Sequence, residues 1–155
     1  MKLKAYRSNL DRWLVLPAIA LGGALGALLR FGWVSFFPIR ETIFPWAIFS
    51  ENILGAFVLG WLLSIFIRRQ GKHRYIRAFF GTGLIGSFTT FSGITIDLAH
   101  YYHNASYLLL SLYILLSIAA GLVAAFAGIW AGRTTLNAYR TKKAAKRCIH
   151  DTQNS

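Results

Sequence analysis

One stretch of this 155-residue chain is built from residue types suited to handling ions. From Gly81 to Gly93 it reads GTGLIGSFTTFSG, and nine of those thirteen residues are Gly, Ser or Thr. Gly is costly inside a helix, and Ser and Thr compete for backbone hydrogen bonds, so a continuous helix is poorly encoded there. The stretch lies inside an apolar run, where freed backbone groups find no water. A break is tolerable there only if it is buried in protein, lines a cavity or binds an ion. At such breaks carbonyl oxygens ligate cations, and half-helix N-termini favour anions.

Other polar residues fall within apolar runs: Arg30, the adjacent pair Glu51 and Asn52, Asp97, and Tyr113 with Ser117. Groups that ionise at membrane depth are expensive and mark a pathway or a partner. For Arg30 snorkelling to the interface serves equally well; for Asn52 a bond to a neighbouring helix is the lesser alternative. Tyr113 and Ser117 are four residues apart and share one helix face. His100 and His103 have a spacing that can ligate a metal, but no third ligand stands nearby, and solvation at a span end suffices for them. Asn104-Ala105-Ser106 matches a glycosylation sequon, a short pattern to which we attach no weight. No nucleophile–base pair, phosphate loop or carboxylate pair occurs, so the chain is read as a non-enzyme. Cys148 is the single cysteine, which excludes a disulfide framework and a cysteine metal site.

The elements that must position these groups are membrane spans. Hydrophobic residues make up 55% of the chain and charged residues only 14%, against about a quarter charged in soluble domains. The apolar residues fall in four blocks, each long enough to cross about 30 Å of hydrocarbon. They run from Trp13 to Phe37, Phe44 to Ile67, Ala78 to Tyr102 and Ser106 to Trp130. The predicted organisation is a basic leader (1–12), a four-helix transmembrane domain (13–131) and a basic tail (132–155). No cleavable signal peptide is read at the start. Gly22 with Gly26, and Gly128 with Gly132, have the small-xxx-small spacing of closely packed helices.

The net charge of +12 would suit nucleic acid, but the cations crowd at span ends rather than on a surface interleaved with aromatic residues, so no nucleic-acid role is read. They indicate topology instead. The leader carries Lys2, Lys4, Arg7 and Arg12; the second connection carries Arg68, Arg69, Lys72, Arg74 and Arg77; six more lie from Arg133 to Arg147. The opposite side has only Arg40. By the positive-inside rule both termini are cytoplasmic.

Several segments together resemble the Fluc/CrcB fluoride channels. Gly22-Gly23-Ala24-Leu25-Gly26-Ala27-Leu28-Leu29-Arg30-Phe31 is similar to the family's first-span motif, and Asn52 to Gly60 (NILGAFVLG) to its second. Gly83 to Ser92 (GLIGSFTTFS) resembles its most specific signature, the Thr-Thr-Phe-Ser break, and Ser117 to Gly121 fits the fourth span. The resemblance covers about residues 14 to 131 in order.

It implies an all-α membrane fold, with the third helix broken in the middle, assembled as an antiparallel, dual-topology dimer. It implies a passive fluoride channel in the cell membrane that exports the ion and reduces its toxicity. A structural sodium ion would be held by the backbone carbonyls of Gly86 and Thr89. Asn52 would donate to fluoride, and Phe91 would offer the positive rim of its ring. Asp97, Tyr113 and Ser117 would match the polar track, and Arg30 the vestibule arginine. Neutral donors and ring edges can replace fluoride's tightly held water and still release the ion.

The chain departs from the family pattern at three places. Ile94 stands where a second Phe is usual, Glu51 where an apolar residue precedes the Asn, and Ile48 where a Thr is common. A homodimer of opposed subunits needs a weak charge bias, whereas here it is fifteen cations against one. The expected partner is therefore an oppositely oriented homologous chain, giving a heterodimer. The alternative from another class is a small four-span proton-coupled multidrug exporter. It wants a carboxylate in the first span, where this chain has Arg30, and only Glu51 offers a substitute.

Overall fold

A computed structural model describes residues 2–37, 44–66 and 74–153, with side chains for 15–37, 44–66 and 74–136. The connection with Arg40, the basic run from Arg68 to His73, and the side chains of the leader and of Cys148 lie outside these.

The described residues are helical, with no strand. Helix α1 runs Lys2–Phe36 and α2 runs Trp46–Phe66. The third span is composite: α3 (Arg74–Arg77), a π-helix (Ala78–Ile85), α4 (Gly86–Phe88) and α5 (Phe91–His103). Helix α6 runs Tyr107–Gln153, through much of the stretch that sequence alone assigns to the tail. Four segments are long and apolar enough to cross a membrane: Val15–Phe36, Trp46–Phe66, Arg74–His103 and Tyr107–Leu136.

Glycines decide the packing. Helix α2 lies along α6, and α1 along the π-helix and α4, while α1 and α2 touch only lightly. A side chain at Gly22 or Gly26 would strike the backbone oxygens of Phe79 or Leu84, and one at Gly83 that of Ile19. On the other pair, Gly60 leaves room for the Ala125 oxygen and Gly128 for that of Phe57. Helices of similarly apolar surface gain little hydrophobic energy by leaving lipid, so close backbone approach must hold them. The large side chains accordingly face outward: Leu28, Leu115, Val123 and Phe126 are all exposed.

Helices α5 and α6 join at a tight corner. Ala105 takes a left-handed φ of 52°, and the Ser106 N–H closes the turn onto the Tyr101 oxygen at 2.9 Å.

Candidate ion pathway

The third span changes hydrogen-bond pattern three times over sixteen residues. In the π-helix the bonds run one residue longer than in an α-helix, and the Gly86 N–H reaches the oxygens of Gly81 and Gly83. Such geometry is rare and concentrates at functional sites. The chain then straightens: Thr89 (φ −74°, ψ 150°) and Thr90 (φ −140°, ψ 127°) are extended. Helix α5 restarts at Phe91, capped by Thr90, whose hydroxyl accepts the Gly93 N–H at 3.1 Å.

Asn52 on α2 grips this extended pair. Its Oδ1 accepts the Thr90 N–H at 2.9 Å, and its Nδ2 donates to the Thr90 oxygen at 3.0 Å. In a continuous helix the Thr90 N–H would bond the Gly86 oxygen, and the Gly93 N–H the Thr89 oxygen. Asn52 takes the first donor and the Thr90 hydroxyl takes the second. The carbonyls of Gly86 and Thr89 thus lose their helical donors. Both residues line one open cavity of about 270 Å³ with Asn52, Gly55 and Gly81. A side chain at Gly55 would collide with the Thr89 methyl, so the glycine three residues beyond Asn52 makes room for the extended pair.

A second cavity, of about 50 Å³, also borders Asn52 and is lined by Phe49, Ile53, Ile94, Ser117 and Gly121 as well. The Ser117 Oγ is buried there without a hydrogen-bond partner. A side-chain amide has two N–H bonds, and Asn52 spends one on Thr90, which leaves the other available. Ile94, at the position where the resemblance leads one to look for a second ring, forms part of this wall.

One helical turn from Ser117, about 6 Å along α6, is Tyr113, which is fully buried. Its hydroxyl donates to the Asp97 Oδ2 at 3.0 Å. Phe44, Phe49 and Tyr101 pack around its ring at centroid distances of 5.4, 6.4 and 6.1 Å. Asp97–Tyr113 and Asn52–Ser117 are therefore successive polar stations along one face of α6. Nearer the corner, the His100 ring bonds the Asn104 amide at 3.0 Å.

Two expected site residues stand apart from these stations. Phe91 is 82% exposed at the start of α5 and does not line the small cavity. Arg30 is half-buried on α1, close enough to Glu51 for the two to interact electrostatically. Glu51 is itself 0% exposed, and neither carboxyl oxygen has a hydrogen-bond partner. Beside it, Trp33 donates to the Ser50 Oγ at 3.3 Å and meets Phe88 edge-on at 6.2 Å.

Sequence reasoning missed the part played by Thr90, which both caps α5 and is held by Asn52. A Thr-Thr pair opposite an Asn was the available signal, but it does not say which Thr is held. The enclosure of Glu51 had no signal beyond its unusual position.

A family model described as "CrcB-like protein, Camphor Resistance (CrcB)" matches residues 17–129, which reach into all four spans and include every one of these stations. The chain belongs to the CrcB family. It is 35% identical over 115 residues to a protein of Ligilactobacillus salivarius named fluoride-specific ion channel FluC 1, covering 74% of this chain and 96% of the relative. A protein of Cutibacterium acnes with the same printed name is 37% identical over 137 residues, 85% of this chain and 96% of the relative. The fluoride-specific ion channel FluC of Allorhizobium ampelinum is 37% identical over 117 residues, 74% and 93% of the two chains. These CrcB relatives are named as channels and not as enzymes, in keeping with a chain whose polar groups are stations rather than a nucleophile and its base.

Proposed function

We propose that this CrcB chain is a subunit of a fluoride-selective ion channel of the cell membrane that exports cytoplasmic fluoride and so lowers its toxicity. The observation that carries the reading is the small cavity between Asn52 and Ser117. Its volume of about 50 Å³ suits a small ion, and its polar groups are neutral donors. Neutral donors can replace hydration without trapping the anion as a fixed cation would. The α5 N-terminus beside it adds the partial positive charge of a helix start. Asp97 with Tyr113 continues the track, and Arg30 draws anions towards the entrance.

The second subunit is an oppositely oriented homologous chain, with both termini of this chain cytoplasmic. The charge bias supports one orientation, and the outward Phe91 supports a ring offered across an interface rather than within one chain. The residues also fit a structural sodium ion. Gly86 and Thr89 have carbonyls relieved of their helical donors and share one open cavity, and hard monovalent cations favour such oxygens. Bound there, the ion would supply a fixed positive charge that ties the two subunits together. The exporter alternative is not favoured: the relatives are named as channels, and Glu51 is fully enclosed.

The test is fluoride efflux from liposomes, followed with an ion electrode and with chloride as control. The chain is reconstituted alone and with a co-expressed homologue of opposite charge bias. Fluoride-selective efflux with the pair, and little with the chain alone, is the expected outcome. Equal efflux from the chain alone would remove the heterodimer. No selective efflux in either case would remove the channel reading.

A further inference from the structure

The light contact between α1 and α2 leaves a large groove at one end of the spans. Its volume is about 860 Å³, far more than an ion or a few waters need. The walls are aliphatic and aromatic: Val15 and Ile19 on α1, and Leu59, Leu62, Leu63 and Phe66 on α2. Leu63 in this wall is 40% exposed.

The end of the groove is chemically different. Arg74 and Arg77 line it, three residues apart on one helix face at the very start of the third candidate span, Arg74–His103. Among the described residues neither has an ion-pair or hydrogen-bond partner. Two guanidinium forks at a span end, above an apolar slot of several side chains' depth, form a site for one amphiphile. The slot takes an acyl chain and the forks take a phosphate.

We propose that this groove binds one anionic glycerophospholipid, with its phosphate on Arg74 and Arg77 and an acyl chain along Leu59, Leu62 and Phe66. A second copy of this chain fits the charges less well, because it has only five carboxyl side chains, of which Glu51 is enclosed and Asp97 is held by Tyr113. Phosphates, by contrast, are dense at the level where the arginines lie. A free anion fits the arginines but leaves the apolar walls without an occupant. The lipid would wedge the α1 pair of helices against the α2 pair where they have little contact of their own. The proposal does not depend on which ion the chain conducts.

The test is native mass spectrometry of the full chain in detergent, titrated with phosphatidylglycerol or with phosphatidylcholine of identical acyl chains. Phosphatidylglycerol is expected to stay bound preferentially, and Arg74→Ala with Arg77→Ala to weaken it about thirtyfold, the effect of two interfacial cations. Leu62→Trp, which fills the slot, is expected to weaken it while the arginines remain. Arg133→Ala, an exposed cation outside the groove, is expected to leave it unchanged, and circular dichroism of each variant confirms that the helices persist. Equal retention of the two lipids would overturn the proposal. So would an equal loss with Arg133→Ala, which means surface attraction, or no loss with Leu62→Trp. Efficient disulfide dimers of Leu62→Cys in a Cys148→Ser background would also overturn it, by giving the groove to a second copy.

Discussion

Asn52 is expected to hold the third span in shape as well as to serve an ion, and the two roles can be separated. Its side chain makes two hydrogen bonds to one residue, at 2.9 and 3.0 Å to the N–H and oxygen of Thr90. Asn52→Leu removes both and leaves two backbone groups unpaired at membrane depth, each costing about 1–3 kcal/mol. Side-chain bonds between membrane helices average only about 0.6 kcal/mol by double-mutant cycles, because the unfolded chain finds other partners. The Thr90 N–H also has an escape, since it can turn back to the Gly86 oxygen as in a continuous helix. We expect a net loss of about 2–3 kcal/mol, between the sum for two orphaned groups and the lower measured averages. Asn52→Asp keeps the acceptor for the Thr90 N–H but not the donor, and should lose about half as much. The assay is reversible unfolding in mixed micelles, paired with fluoride efflux from liposomes. If Asn52→Leu abolishes efflux while stability moves by less than about 0.5 kcal/mol, the hydrogen bonds do not hold the extended pair and the structural argument fails.

The remaining expectations concern packing and buried polar groups. Gly128→Ala drives a methyl against the Phe57 oxygen and the Trp61 nitrogen and should lower the unfolding midpoint clearly. Gly32→Ala meets nothing within 4 Å and should stabilise by up to about 1 kcal/mol through helix propensity; equal effects from the two would refute the close-packing account. Tyr113→Phe removes the donor to Asp97 inside a fully buried ring cluster and should cost about 1–2 kcal/mol and slow fluoride efflux, with both readouts moving together. Glu51→Gln removes an ionisable group that is enclosed without a hydrogen-bond partner. It is expected to raise the unfolding midpoint, because a buried carboxylate lacking a direct partner is expensive. A lowered midpoint would mean that attraction to Arg30 outweighs the cost of enclosure.

What the sequence determined by itself was everything that depends on neighbours along the chain. Apolar run length fixes the four spans, because crossing hydrocarbon is a requirement on consecutive residues. The pairs Gly22–Gly26 and Gly128–Gly132 announced close contacts, since glycine at that spacing clears one stripe of a helix. The run of Gly, Ser and Thr from Gly81 to Gly93 announced irregular backbone, which is also a local property. The bounds of the spans and the course of α6 to Gln153 differ from that reading by a few residues or more, as terminal turns depend on packing.

Only the tertiary structure decided how the stations pair. Asn52 and Thr90 are 38 residues apart, and no periodicity links them. That link is what diverts the donors from the Gly86 and Thr89 carbonyls. Tyr113 and Ser117 share a face in any helix, yet the fold assigns one to Asp97 and the other to the cavity beside Asn52. Phe91 faces out and Glu51 is sealed in, although both lie in segments of similar character. The physical reason is the solvent. In water a polar and an apolar stripe tell which side of a helix is inside. In lipid both sides are apolar, so orientation is set by where backbones can approach and where polar groups find each other.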